Sequence, residues 1–129
     1  MGGRVVHFEV PFDDGDRARA FYQEVFGWNL QDFPGMDYTI VSTGPTGDRG
    51  PSESGYINGG MVARAADSSS TTPVIVIDVD SIDDALAEVG KRGGKTVTAK
   101  VAVGDMGFAA YFTDPEGNVM GLWENAAQS

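Results

Sequence analysis

The sequence predicts an α+β fold built from two βαβββ modules in tandem, on three observations. The order strand, helix, three strands occurs twice in 129 residues. Asp14 to Gly27 and Asp80 to Gly93 span the same number of residues, an offset of 66 good to within one position, and repetition at a fixed period outranks any single element assignment. A Ser/Thr-rich stretch, Ser68-Ser69-Ser70-Thr71-Thr72, separates the halves as a linker would. Module one then covers residues 4–64, the linker 65–72 and module two 73–125, within a single domain of 1–129.

Val5 to Val10 alternates, with Val6, Phe8 and Val10 on one side and Val5, His7 and Glu9 on the other, the period of a strand with one apolar and one mixed face. Asp13-Asp14-Gly15-Asp16 supplies a cap and first-turn acids for a helix whose apolar residues Ala18, Phe21, Tyr22 and Val25 recur at i, i+3, i+4 and i+7. Gly27 ends it. Phe21, Tyr22, Phe26 and Trp28 are expected to pack this helix on the sheet. Trp28 to Phe33 and Met36 to Ser42 flank Pro34-Gly35, which suits the central positions of a turn, so a hairpin is expected. Residues 44–55 are too polar and flexible for a core element and make a candidate lid, before a further strand over Tyr56 to Arg64.

Module two repeats the order. An aliphatic strand, Pro73 to Val79, precedes Ser81-Ile82-Asp83-Asp84, a capping box, and a helix with the apolar stripe Ile82, Ala85, Leu86 and Val89. Gly93-Gly94 closes that helix. Lys95 to Val103 and Phe108 to Thr113 read as strands, and Asp114-Pro115-Glu116-Gly117-Asn118 is a tight turn into a last strand, Val119 to Glu124.

Composition narrows the function. Nine Lys and Arg against 19 Asp and Glu give a net charge of −10, which repels a phosphate backbone, so no nucleic-acid partner is expected. Seven of those acids, Asp13, Asp14, Asp16, Asp78, Asp80, Asp83 and Asp84, stand at the two helix starts, where the macrodipole favours them. The absence of cysteine removes disulfides, thiolate metal sites and cysteine nucleophiles, and suits a cytoplasmic location. His7 is the single histidine, so imidazole chemistry has one possible address. The longest aliphatic run, Val74 to Ile77, falls far short of the ~20 residues of a membrane span, and the start lacks a signal-peptide core. Neither Gly59-Gly60 nor Gly93-Gly94 sits in a dinucleotide fingerprint.

The local strings His7-Phe8-Glu9-Val10, Asp14, Arg17-Ala18-Arg19-Ala20-Phe21-Tyr22 running into Phe26-Gly27-Trp28, Asn58-Gly59-Gly60-Met61 and Tyr111-Phe112-Thr113-Asp114-Pro115-Glu116-Gly117-Asn118 have an order that resembles the vicinal oxygen chelate superfamily of glyoxalase I, bleomycin-resistance proteins and extradiol dioxygenases. The resemblance covers about residues 4–124. It implies an open eight-stranded, barrel-like sheet around a pocket, helices outside, commonly in a homodimer. Enzymes of that superfamily hold a divalent metal with His, Glu or Gln from the first and last strand of each module. Carried over residue by residue, His7 fills the first position. Pro73 or Val74 stands at its counterpart in module two, the run 59–62 offers only Met61 sulfur, a soft ligand poorly matched to such ions, and Gly121 stands where the superfamily has an acid. Glu124 lies three residues on and faces the other way. A catalytic metal needs about three protein ligands, so no metal and no cofactor are expected.

Gly121 and Trp123 share a strand face, where a ring beside a missing side chain leaves room for a flat, apolar ligand. His7, Tyr38, Met61, Gly121 and Trp123 are therefore the expected ligand-binding residues, and His7 and Glu9 the candidate catalytic ones, with structural and core roles as the plainer alternatives. The function expected is binding of a small hydrophobic or aromatic molecule at a degenerate metal site. The alternatives are a metal-dependent lyase, isomerase or dioxygenase using His7, or a metal-free enzyme using His7 and Glu9.

Overall fold

The computed structural model describes residues 3–32, 38–64 and 72–126. Its elements are β1 (Arg4–Phe12), α1 (Gly15–Phe26), β2 (Asn29–Asp32), β3 (Tyr38–Ser42), β4 (Thr46–Gly47), β5 (Gly50–Pro51) and β6 (Asn58–Ala63), then β7 (Val74–Asp78), α2 (Ile82–Lys91), β8 (Lys95–Val103), β9 (Gly107–Thr113) and β10 (Val119–Asn125). The expected Pro34-Gly35 turn and all of the linker but Thr72 lie outside the described residues. The chain forms two compact units, residues 7–73 and residues 74–129 with 1–6, so the α+β class and the repeat are both present.

In the unit of residues 7–73 the strands lie in the order β2-β3-β6-β1. β2 and β3 pair antiparallel, as do β3 and β6, while β6 runs parallel to β1 with His7 opposite Asn58 and Glu9 opposite Gly60. The Asp14 side chain accepts from Arg17 N–H at 3.1 Å to open α1, and Gly27 closes it in the left-handed region at φ 70°, its N–H donating to Gln23 O. Glycine alone takes that conformation without a Cβ penalty. Thr39, Val41 and Met61 are buried on one face of this sheet. Arg19 of α1 reaches that face, donating to Thr39 Oγ1 at 3.1 Å and to Asp16 at 2.9 Å.

The aromatic residues around α1 depart from expectation. Tyr22 stacks on Trp28 with centroids 4.8 Å apart, and Trp28 meets Phe8 of β1 at 5.7 Å. Those rings fill the inner side of the helix. Phe21 is one residue, or about 100°, round the helix from Tyr22 and so falls on the flank, and both it and Phe26 are exposed rather than packed on the sheet. No residue of α1 is fully buried.

Residues 44–55 have more order than their composition predicts. β4 and β5 form a two-stranded ribbon, and Pro45 O accepts from both Ser52 Oγ and the Tyr56 hydroxyl. The strand that follows is shorter than expected and begins at Asn58.

The other unit has the order β7-β10-β9-β8, the same arrangement of first, fourth, third and second strands. β7 and β10 are parallel, and β10, β9 and β8 are antiparallel, with irregularities in the β8–β9 register around Thr98. The side chain of Ser81 caps α2 by accepting from Asp84 N–H at 3.1 Å. Ile82, Ala110, Phe112 and Leu122 form the core under that helix, with Ala85, Leu86 and Val89 packed on it.

Candidate functional site

Strand alternation on β1 puts His7 and Glu9 together on the sheet face opposite Phe8 and Val10. The register places Asn58 and Gly60 of β6 beside them on that face, and Tyr38 and Ile40 of β3 beyond. Tyr38 is separated from β1 by the whole width of β6, yet its hydroxyl meets Nε2 of His7 at 2.8 Å. Gly60 makes this reach possible. A Cβ on Gly60 would run into the Tyr38 hydroxyl and ring, so only a residue without a side chain lets the ring lie across the strand.

Both partners are held neutral. Burial pulls the His7 pKa below its ordinary 6.5, because desolvation disfavours the imidazolium. The Tyr38 hydroxyl is pushed up from 10.0, first by burial and then by the negative charge of Glu9. At neutral pH the pair is an imidazole and a phenol sharing one hydrogen bond, with the Glu9 charge acting on the phenol.

The structure thus brings together His7, Glu9 and Tyr38 of the expected residues. Met61 is placed elsewhere: it is in register with Val10 and Thr39, its neighbour Gly60 faces His7, and alternation sends its side chain into the fully buried opposite face. Gly121 and Trp123 belong to the other unit. The space a side chain would take at Gly121 is already lined by Val76, Tyr111 and Val74 at 3.0–3.5 Å, so the missing side chain leaves no gap for a ligand there. The Trp123 ring lies over Gly107, its Cζ2 2.6 Å from where a Cβ would stand, and its Nε1–H donates to Asn125 Oδ1 at 2.9 Å.

Gly60 and Asn58 were missed as site residues. The Gly59-Gly60 pair was visible, but its meaning depends on which strands lie either side. Asn58 adjoins His7 and fastens the 43–57 loop: its Oδ1 accepts from Thr43 N–H at 3.0 Å and its Nδ2 donates to Thr46 Oγ1 at 2.9 Å. An Asn before a Gly-Gly pair at a strand start was the available signal.

Glu124 has a structural role. On the α2 side of β10 its Oε1 accepts from Ile82 N–H at 2.8 Å and its Oε2 pairs with Lys100 Nζ at 3.2 Å. The Ile82 N–H first, and Lys100 after it, hold its carboxyl below the usual 4.5.

The donor set does not fit a resident divalent metal. His7 Nε2 is bonded to Tyr38, the His7 face of the fourth strand carries Gly60 and an Asn58 whose amide is engaged by Thr43 and Thr46, and the counterpart positions, Pro73 or Val74 and Gly121, carry no ligating side chain. Among the described residues no three His, Cys, Asp or Glu side chains come together as a metal would require.

Two βαβββ units with the same strand order are the architecture of the glyoxalase-type fold. A family model described as bleomycin resistance protein-like N-terminal matches residues 4–44. CFP32 of Mycobacterium tuberculosis (strain CDC 1551 / Oshkosh), named as a candidate glyoxylase, is 29% identical over 118 residues, 86% of this chain and 41% of that protein. The chain therefore spans about two-fifths of the length of that relative. Among solved structures, hypothetical protein BH1468 from Bacillus halodurans C-125 is 16% identical with a TM-score of 0.66, covering 100% of this chain and 99% of the other. A methylmalonyl-CoA epimerase in complex with methylmalonyl-CoA and NH4+ is 15% identical with a TM-score of 0.64, covering 98% and 97%. The chain thus resembles a bleomycin resistance protein-like family over residues 4–44 and has the fold of the glyoxalase/bleomycin resistance/dioxygenase group.

Proposed function

We propose that this chain is a small-molecule binding protein of the glyoxalase/bleomycin resistance type, taking a flat, apolar or aromatic ligand on the His7 face with no resident metal. One observation carries the reading: the His7 imidazole, which sets the metal site in enzymes of this superfamily, is spent on Tyr38 across Gly60. A neutral phenol beside a neutral imidazole suits an uncharged polar group on a ligand, and the Tyr38 ring and Ile40 supply apolar surface on the same face. That the epimerase neighbour holds an organic ligand on the same fold supports a ligand-binding use of this one.

The test is a thermal-shift screen of the purified protein against planar aromatic compounds, run with elemental analysis. A stabilising hit that is lost in Tyr38→Ala and His7→Ala supports the reading. One equivalent of Zn, Ni, Fe or Mn per chain, lost in His7→Ala, overturns it in favour of a metal-dependent lyase, isomerase or dioxygenase.

A second reading, a metal-free enzyme working through proton transfer, is favoured by the Glu9 charge acting on the same hydroxyl that bonds His7. Deuterium exchange from solvent into carbonyl compounds, followed by NMR and lost in both Glu9→Gln and Tyr38→Phe, is its distinguishing result.

A further inference from the structure

We propose that the His7 face selects ligands that present a hydrogen-bond donor to Tyr38, an N–H or O–H on a planar apolar frame such as an indole or an aryl amine, and discriminates against those that present a carbonyl there. The proposal rests on the reading of that face as a ligand site and adds the polarity that the ligand must have.

The direction of the His7–Tyr38 bond carries the inference. Nε2 and the hydroxyl are 2.8 Å apart, so one of them donates to the other. A neutral imidazole has one N–H and one bare nitrogen, and the bare nitrogen is a far better base than a phenol oxygen. The phenol O–H is in turn a stronger acid than the imidazole N–H. The stronger donor therefore meets the stronger acceptor when the Tyr38 O–H donates to a bare Nε2, with the His7 proton on Nδ1. The opposite direction pairs the weaker donor with the weaker acceptor. Burial disfavours the imidazolium and so keeps Nε2 bare at neutral pH.

Once its single proton is committed to His7, the hydroxyl can only accept from a ligand. Its position is fixed by the ring, which lies across β6 where Gly60 has no Cβ to exclude it. The neighbours on this face have the same polarity. Glu9 carries the negative charge that raises the Tyr38 pKa, and an ionised carboxylate accepts hydrogen bonds and donates none. Asn58, opposite His7, has its Oδ1 on Thr43 N–H and turns its Nδ2 to Thr46 Oγ1. Ile40, in register with Gly60, is apolar. The centre of the face thus sets a phenol oxygen and a carboxylate in apolar surroundings, and a ligand N–H or O–H completes it. A ligand carbonyl would set lone pairs against lone pairs in a partly buried place, where an unmet polar group is costly.

The experiment compares bicyclic probes of nearly equal size by isothermal titration calorimetry: indole, whose ring nitrogen donates; benzofuran, which has no donor; and indanone, which has a carbonyl. Wild type is expected to bind indole roughly fivefold more tightly than benzofuran, the usual worth of one neutral hydrogen bond. Indanone should bind no better than benzofuran. Tyr38→Phe keeps the ring and deletes the oxygen, so it should remove most of the preference for indole. Nitrogen NMR of protein isotope-labelled at its single histidine needs neither ligand nor variant, and should show a bare Nε2 and a protonated Nδ1. A protonated Nε2 overturns the proposal. Equal affinities for indole and benzofuran in wild type, or tighter binding of indanone, also overturn it while leaving the face a ligand site. An indole preference unchanged in Tyr38→Phe overturns the assignment of the acceptor to Tyr38. Binding of none of the probes overturns the ligand-site reading itself, and this proposal with it.

Discussion

The Tyr38 hydroxyl lies 2.8 Å from Nε2 of His7, and it gets there by crossing β6 at Gly60. Three strands are thereby tied on one face by one hydrogen bond. The one imidazole of the chain is engaged by a phenol, and a position without a side chain is what allows it.

Gly60→Ala should break this arrangement. The new methyl group competes with the Tyr38 ring for the same space, and forced overpacking of this kind costs about 1–3 kcal/mol. Urea denaturation is expected to show that loss. The His7 ring signals in NMR should also move, because Nε2 loses its partner. An alanine variant as stable as wild type, with unchanged His7 signals, would show that the ring does not depend on the glycine.

His7 should make stability fall as the solution is acidified below neutrality. Its pKa is lowered in the folded protein by burial, so the unfolded chain binds the proton more readily. Stability from the neutral ring is then complete above the unfolded value of 6.5, and it is lost as pH falls from there through the folded value. The slope has an upper limit of about 1.4 kcal/mol per pH unit for one proton. Since His7 is the only histidine, unfolding measured between about pH 5 and 7.5 isolates it. His7→Gln should flatten the curve over that range, and an unchanged slope in the variant would assign the effect elsewhere.

How much of this was legible in the sequence follows from the range of the interactions. The helices were, because Asp14, Ser81 and Gly27 act within a turn of themselves and their caps are local chemistry. The duplication was too, because both modules repeat those local signals. The His7–Tyr38 bond was not, since it joins residues 31 apart and exists only once β6 has been inserted between their strands. Met61 shows the same limit. Alternation on β6 relates Met61 to Gly60, but only the register with β1 says which of them faces His7. The exposure of Phe21 was hidden because an apolar stripe at helical spacing does not reveal where its buried sector ends.

Met61→Ala should separate core from site. The side chain is fully buried with Val41 and Thr39 on the face away from His7. Truncating a buried methionine costs about 2–5 kcal/mol, so a large drop in the denaturation midpoint is expected. The stabilisation produced by an aromatic compound that binds the His7 face should persist at temperatures where the variant is folded. Little change in stability together with lost binding would put Met61 in the site after all.

Asn58→Ala should loosen the loop beside the site while sparing the sheet. Asn58 holds the loop at two points, through Thr43 N–H and Thr46 Oγ1, and it does so from the position opposite His7. The ribbon those points support carries Arg49, a trypsin site, between β4 and β5. Cleavage there tracks local opening when reclosing is fast. Removing hydrogen bonds worth about 1 kcal/mol in total should speed it roughly fivefold. The sheet pairs on either side keep their own bonds, so the global midpoint should move far less. Asn58→Asp makes the argument sharper: it retains the acceptor for Thr43 and loses the donor to Thr46, so its cleavage rate should fall between wild type and alanine. Equal rates for all three proteins would mean that the loop is held without Asn58, by Tyr56 and Ser52 on Pro45 O and by the Thr43 hydroxyl on Ile57 O.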